Sequence, residues 1–148
     1  MNAEERLFEM VERCVADGVL ALENDVPLTP FAKVLQGDGT VRDIPCMTPD
    51  EKACYEALLR QLRGEVEMGD IDAVALVARV TIPEHYNAPA PQGIRIHVEE
   101  KALAHKKISA RLLYVPYEIF ATEGGGNRTV MLHNPIAIGM PTEVYTQA

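Results

Sequence analysis

The sequence has no tryptophan, a single serine, only three cysteines and no long apolar run. A helix that crosses a bilayer needs about 20 predominantly apolar residues, so none is predicted here. The serine, Ser109, is not part of a Gly-x-Ser-x-Gly motif, and no Cys-x-x-Cys pair occurs. The signatures of serine hydrolases, thioredoxin-like proteins and common zinc sites are therefore missing.

Basic residues are also scarce, with 14 Lys and Arg against 22 Asp and Glu and a net charge of −8. An acidic chain repels phosphate backbones, so we expect no nucleic-acid partner, and without an apolar span we expect no membrane partner. The charge is uneven, because residues 1–27 and 43–72 each carry −5 whereas residues 94–111 carry +3. The predicted helices are therefore acidic, and part of the later region is basic.

With 148 residues, the chain is long enough to bury a core without the help of disulfides or metals. Cys14, Cys46 and Cys54 are odd in number and widely spaced, which argues against a disulfide framework. Residues 1–5 are acidic and do not resemble the start of a signal peptide. We therefore expect a single domain over residues 1–148, located in the reducing cytoplasm.

Two amphipathic helices are predicted from apolar side chains at helical spacing. The first covers residues 3–16, and Asp17-Gly18 offers a place for it to end, while the apolar residues 19–22 either extend it or begin a strand. The second is expected to have Thr48 as its N-cap and Pro49 at its first position, and to run to about Met68. The apolar positions are Leu7, Met10, Val11, Cys14 and Val15 in the first helix and Tyr55, Leu58, Leu59, Leu62 and Val66 in the second.

The remaining segments predict strands. Residues 31–35 and 40–44 flank an Asp-Gly turn, which is a strong hairpin signal. Four more strands are predicted within residues 71–82, 94–99, 109–121 and 129–133. The predicted order is α-β-β-α-β-β-β-β, followed by an extended C-terminal tail over residues 134–148. The short connections favour an antiparallel sheet, and we expect a two-layer α+β domain with both helices on one face.

Charged residues on the less apolar side of the predicted central strands indicate a candidate ligand site. Arg79 lies on one strand, Arg95, His97 and Glu99 lie on the next, and Arg111 lies on the third. If these strands are antiparallel neighbours, Arg79, His97 and Arg111 form one row across the sheet. Since neighbouring like charges are unfavourable, the row needs an anionic partner, which is a small anion, Glu99 or an acidic segment of another chain.

No pattern predicts a catalytic centre, a metal site or a cofactor. The four histidines form no ligand motif: His85, His97, His105 and His133. Cys46 lies near a predicted helix N-terminus, which lowers a thiol pKa, but a loop cysteine without a role is the simpler interpretation. The glycines 124–126 precede a strand and not a helix, so they predict a turn and no phosphate site.

The apolar tail predicts association. Residues 134–145 contain several apolar side chains and two prolines, and a contiguous apolar patch invites contact with another surface. Prolines allow such a segment to lie along a sheet edge or across a partner. We therefore expect a homodimer with this tail at or near the interface, the alternative being that the tail covers its own chain.

These observations favour a non-catalytic binding or protein-interaction protein. Two alternatives stay open. One is an enzyme or ligand-binding protein that acts on an anionic metabolite over Arg79, Arg95, His97 and Arg111. The other is an acidic inhibitor or immunity-type protein that occupies a basic partner. An enclosed pocket over the polar sheet face favours the first alternative, and acidic side chains beside exposed aromatics on one helix face favour the second.

Overall fold

The computed structural model describes residues 2–46, 48, 50–121, 124 and 127–145. It confirms an α+β fold with an antiparallel sheet. Neither helix in this part of the chain is long and apolar enough to cross a membrane. The elements are α1 (Ala3–Glu23), β1 (Phe31–Gln36), β2 (Val41–Pro45), α2 (Glu51–Met68), β3 (Ile71–Thr81), β4 (Gln92–Glu100), β5 (Ala110–Ala121), β6 (Arg128–Leu132) and β7 (Ile136–Met140).

The strands form one antiparallel sheet in the order β2-β1-β3-β4-β5-β6, and β7 also pairs with β5. β6 lies opposite the second half of β5, and β7 lies opposite its first half. Between them the His133 N–H donates to the Pro116 carbonyl at 2.9 Å. β6 and β7 therefore continue one another along the same edge of β5. The strand β7 lies in the predicted tail and adds a seventh strand to the predicted order.

The helices pack on opposite faces of the sheet, which corrects the predicted two-layer arrangement. Along β3, Ala75 and Val77 belong to the core cluster of α1, whereas Val74 and Leu76 belong to the core cluster of α2. Successive side chains of a strand point to opposite faces. Because nearly every residue of β3 is apolar, this strand needs cover on both sides, and the two helices provide it.

The first helix continues beyond residue 16 through Gly18 to Glu23, so residues 19–22 extend it and do not begin a strand. Gly18 is buried, and a Cβ atom at this position would lie 3.0 Å from Cδ1 of Ile94. The glycine therefore allows α1 to lie close to the sheet and does not end the helix. Cys14 is fully buried against the same face, as its position on the apolar side predicted.

The second helix begins two residues later than predicted. Its N-cap is Asp50, whose carboxylate accepts a hydrogen bond from the Lys52 N–H at 3.3 Å. The predicted cap Thr48 has its hydroxyl 3.5 Å from the sulfur of Cys46, and the predicted first helical residue, Pro49, lies outside the described residues. Aspartate and threonine both serve as N-caps, so composition alone did not distinguish the two starting points.

Cys46 and Cys54 form a disulfide, contrary to the expectation from cysteine number and spacing. Their Cα atoms are 5.7 Å apart. Cys46 directly follows β2 and Cys54 lies in the first turn of α2, so the bond ties the start of the helix to the edge strand. Cys46 and Cys54 are separated by eight positions, and they meet because α2 turns back over the strand that precedes it.

The face that carries α2 is also covered by two further segments. One follows β3 and brings Tyr86 over Tyr114, with 5.6 Å between the ring centroids. The other is the end of the described chain, where Val144 is buried among residues of α2 and β3. We call residues 141–145 the C-terminal strap. The described part of the predicted tail, residues 134–145, therefore covers its own chain in this structure.

Candidate functional site

The opposite face of the sheet is covered incompletely. Six strand positions at about 4.8 Å spacing make the sheet roughly 24 Å wide, whereas a helix with its side chains is about 10 Å across. In the described part of the chain, α1 is the one α-helix on this face. An open groove consequently remains between α1 and the strands β5 and β6. We call it the α1 groove.

The α1 groove is apolar and extends along the whole helix. It consists of two adjoining cavities of about 570 and 560 Å³, which share Phe8, Val11 and Leu113. Large apolar side chains on its walls are unusually exposed, with Phe8 at 65%, Leu20 at 59% and Leu132 at 40%. The remaining apolar residues that line it include Leu7, Val15, Val19, Val98, Leu103 and Val115.

The groove has acidic walls. Glu4, Glu12 and Glu23 line it from the side of α1, and none of them has an ion-pair partner among the described residues. The far wall carries Glu100 and Arg111, which form an ion pair with each other. The net charge of the groove-lining side chains is therefore negative.

A wide apolar arc on α1 produces this site. At 100° per residue, the apolar residues from Leu7 to Leu22 other than Ala16 and Leu20 occupy about half of the helix circumference, whereas a helix that packs on one surface needs a stripe of about 100°. The apolar positions predicted for this helix did not include Phe8 and Val19, which lie at one margin of the arc, or Leu20, which lies outside it. The width of the arc was the signal that indicated a second apolar contact.

The predicted row of Arg79, His97 and Arg111 does not form, because the five predicted ligand residues lie on both faces of the sheet. Arg79 and Arg111 lie on the α1 side of the sheet, opposite Ile94 and Val98 of β4 respectively. Those two partners are four residues apart, or about 13 Å along the strand. The other three residues, Arg95, His97 and Glu99, project to the α2 side because they alternate with the α1-facing residues of β4.

The three arginines each have a partner within the chain. Arg79 lies 3.7 Å from Glu51, and Arg111 pairs with Glu100. Arg95 donates to the hydroxyl of Tyr55 and lies over its ring, 5.5 Å from the centroid. The structure therefore does not gather their charges around a common position.

His97 and Glu99 form a buried polar centre that sequence reasoning placed on an open surface. Both side chains are fully buried, and Nε2 of His97 donates to the Glu99 carboxylate at 2.5 Å. The backbone N–H groups of Glu143, Val144 and Tyr145 also donate to this carboxylate, at 2.8 to 3.1 Å. Glu99 therefore fixes the C-terminal strap to the sheet.

Hydrogen bonding outweighs burial at Glu99. Burial raises the pKa of its carboxyl, but the hydrogen bonds from His97 and from the three amides of the strap lower it by more, so the pKa lies below its ordinary value. Nδ1 of His97 has no hydrogen-bond partner among the described residues. Since neither side chain is exposed, the pair holds the strap and does not meet a ligand at the surface.

A second charged centre links α1 to the β1–β2 hairpin. The Lys33 amine is nearly buried and contacts Asp17 at 2.7 Å and Asp43 at 2.5 Å. Burial lowers the pKa of Lys33, whereas its hydrogen bonds to the two aspartates raise it by more, so the net shift is upward. Burial also raises the pKa of the Cys14 thiol to about 12. Neither group is a reactive nucleophile in this environment.

No group of three or more His, Cys, Asp or Glu side chains is arranged to hold a metal ion within the residues that the structure describes. The arrangement that stands out is the α1 groove, a long apolar surface with acidic walls. Comparison of the chain with protein-family models, with curated proteins and with solved structures gave no match.

Proposed function

We propose that this protein is a non-catalytic protein-interaction module that binds its partner in the α1 groove. The observation that carries the proposal is the exposure of large apolar side chains along a groove that runs the length of α1. Exposed apolar patches of this kind mark interaction sites, because water contact with them is unfavourable. The proposal keeps the cytoplasmic location expected from the cysteine count; the disulfide between Cys46 and Cys54 counts against it, because cytoplasmic thiols are kept reduced.

One of the open alternatives gains support from α1. Phe8 is exposed and lies one helical turn from Glu4 and from Glu12. This is the combination of acidic side chains and an exposed aromatic that is expected of an acidic inhibitor or immunity-type protein. Such a protein is a particular kind of interaction module, so it uses the same groove.

A comparison of two matched variants tests the proposal. Phe8→Asp places a charge in the groove, whereas Phe120→Asp changes an exposed phenylalanine of β5 that is not among the residues lining the groove. Both side chains are more than half exposed, so neither substitution removes core packing. Circular dichroism and thermal melting of the purified variants establish that both are folded.

Proteins are enriched from extracts of the cells that make this chain, with wild type and both variants as bait. We expect a partner that is retained by wild type and by Phe120→Asp and lost with Phe8→Asp. The purified partner must then bind wild type in calorimetry and bind Phe8→Asp at least about tenfold more weakly. Partners that bind all three baits equally would contradict a role for the groove.

A further inference from the structure

The acidic side chains of the α1 groove indicate the kind of partner it takes. Glu4, Glu12 and Glu23 line the groove without an ion-pair partner among the described residues, whereas Glu9 and Asp17, which lie outside it, are paired with Arg13 and Lys33. Of the four α1 carboxylates without an ion-pair partner among the described residues, three therefore line the groove, and Glu5 lies outside it. An occupant with Lys or Arg at its margins neutralises them, and complementary charge of this kind directs partner choice.

The floor of the groove determines the backbone of the occupant. Val11, Val15 and Val19 follow one another at intervals of four residues, and Leu113 and Val115 of β5 complete the floor. These side chains offer no hydrogen-bond donors or acceptors. A backbone lying on them must satisfy its own N–H and C=O groups, which an α-helix does and an extended strand does not. α1 itself has 21 residues, which gives the groove a length of about 30 Å.

A second copy of this chain is a poor occupant. Residues 1–27 carry a net charge of −5 and the whole chain carries −8. Two copies that meet through α1 bring their unpaired carboxylates towards each other, which is unfavourable in a desolvated interface. A basic helix faces no such repulsion. The expected homodimer is therefore an alternative outcome of the experiment below.

We propose that the α1 groove binds a basic amphipathic α-helix of a partner protein, with apolar residues on the groove floor and Lys or Arg beside Glu4, Glu12 and Glu23. This inference rests on the proposed function and adds the partner class. The apolar side chains of such a helix recur at i, i+3 or i+4 and i+7. Its basic residues flank that stripe.

Three synthetic peptides of 18 residues test the inference against the full chain. The first is an amphipathic helix with a leucine stripe and lysines beside it. The second replaces each lysine with glutamate. The third has the composition of the first in a scrambled order that removes the stripe. Binding is measured by fluorescence anisotropy at two salt concentrations, and light scattering records the oligomeric state of the protein.

We expect the basic amphipathic peptide to bind at least about tenfold more tightly than the other two. The triple variant Glu4→Gln, Glu12→Gln, Glu23→Gln is expected to weaken this binding about tenfold and to reduce its salt dependence. A charge-matched control outside the groove, with Glu56→Gln, Glu67→Gln and Asp72→Asn, is expected to bind like wild type.

Four results would overturn the inference. If the basic and acidic amphipathic peptides bind equally well and both fail to bind Phe8→Asp, the groove is a binding site but does not select a basic partner. If the scrambled peptide binds as tightly as the basic amphipathic peptide, binding depends on charge attraction and does not require an amphipathic helix. A dimer that Phe8→Asp dissociates identifies a second copy as the occupant. Failure of wild type to bind any peptide removes the helical occupant, while the enrichment experiment decides separately whether the groove binds a partner.

Discussion

At the scale of single residues, Glu99 has the most demanding environment in the structure. Its carboxylate is fully buried, and four groups donate to it, namely the His97 ring and three consecutive backbone amides. A buried carboxylate is tolerated only when such donors replace water. The adjacent Glu100 is only partly buried, and it pairs with Arg111 on the α1 face of the sheet, opposite to the face that carries Glu99. The two glutamates therefore form a natural pair for comparison.

Glu99→Gln is expected to lower the free energy of unfolding by about 3 kcal/mol. The NH2 group of the glutamine then faces N–H groups that donated hydrogen bonds to the carboxylate. Glu100→Gln is expected to lower this free energy by less than about 1 kcal/mol, since its partner Arg111 is half-exposed and ion pairs that reach solvent contribute little. Denaturant unfolding at neutral pH measures both values. Equal stability of Glu99→Gln and wild type would show that the carboxylate does not hold the strap.

The pH dependence of stability follows from the direction of the shift at Glu99. Because the pKa in the folded state lies below its ordinary value of 4.5, ionised Glu99 stabilises the fold above that pH. This contribution is lost as the pH falls from 4.5 through the lower folded-state value. The stability difference between wild type and Glu99→Gln is therefore expected to be constant near neutrality and to shrink in acid. Unfolding curves from pH 7 to pH 3 check this, and a difference that grows in acid would contradict it.

At the scale of elements, the start of α2 is fixed by features that lie outside the helix. Asp50 caps the first turn, and the disulfide between Cys46 and Cys54 ties that turn to the end of β2. The apolar positions predicted for α2 are buried or half-buried against the sheet, so the helix itself was predictable. Its exact beginning and its covalent tie were not, since neither depends on the apolar pattern.

Reduction of the disulfide is expected to lower the free energy of unfolding by about 2.5 kcal/mol, because the bond closes a loop of eight residues in the unfolded chain. Unfolding with and without reductant measures the change, with Cys46→Ser as a variant that reductant should not affect. When the native oxidised protein is treated with an alkylating reagent, mass spectrometry should find all three cysteines unmodified. Cys46 and Cys54 are bonded to each other, and Cys14 is buried. A midpoint that is insensitive to reductant would show that the two thiols are not bonded.

At the scale of the whole molecule, the two faces of the sheet differ in how they are covered. The α2 face is closed by α2, by the segment after β3 and by the C-terminal strap. The α1 face carries one α-helix among the described residues, with Leu28 and Leu103 from two short connections beside it, and it retains the α1 groove. The strap is joined to α2 by the Arg63 side chain, which donates to the Glu143 carbonyl at 2.8 Å. The Tyr145 hydroxyl donates to the Ile71 carbonyl at 2.8 Å.

A chain that ends at Met140 is expected to be less stable than one that ends at Tyr145 by about 3 kcal/mol or more, because it loses the buried Val144 and the donors to Glu99. In the shorter chain Glu99→Gln is expected to lower the free energy of unfolding by less than about 1 kcal/mol, since the three strap amides that donate to Glu99 are gone. This double-mutant cycle is measured by denaturant unfolding. Additive effects of the deletion and the substitution would show that Glu99 and the strap act independently.

The sequence by itself determined the positions of both helices and of six strands, the hairpin and the burial of Cys14. Apolar periodicity is a local property and records whether a residue is buried. It does not record which surface buries it. The opposite placement of the helices, the meeting of Cys46 with Cys54, and the division of Arg79 and Arg111 from His97 and Glu99 were decided by tertiary structure. So was the α1 groove, because an incompletely covered face exists only once the sheet and every segment packed on it are in place.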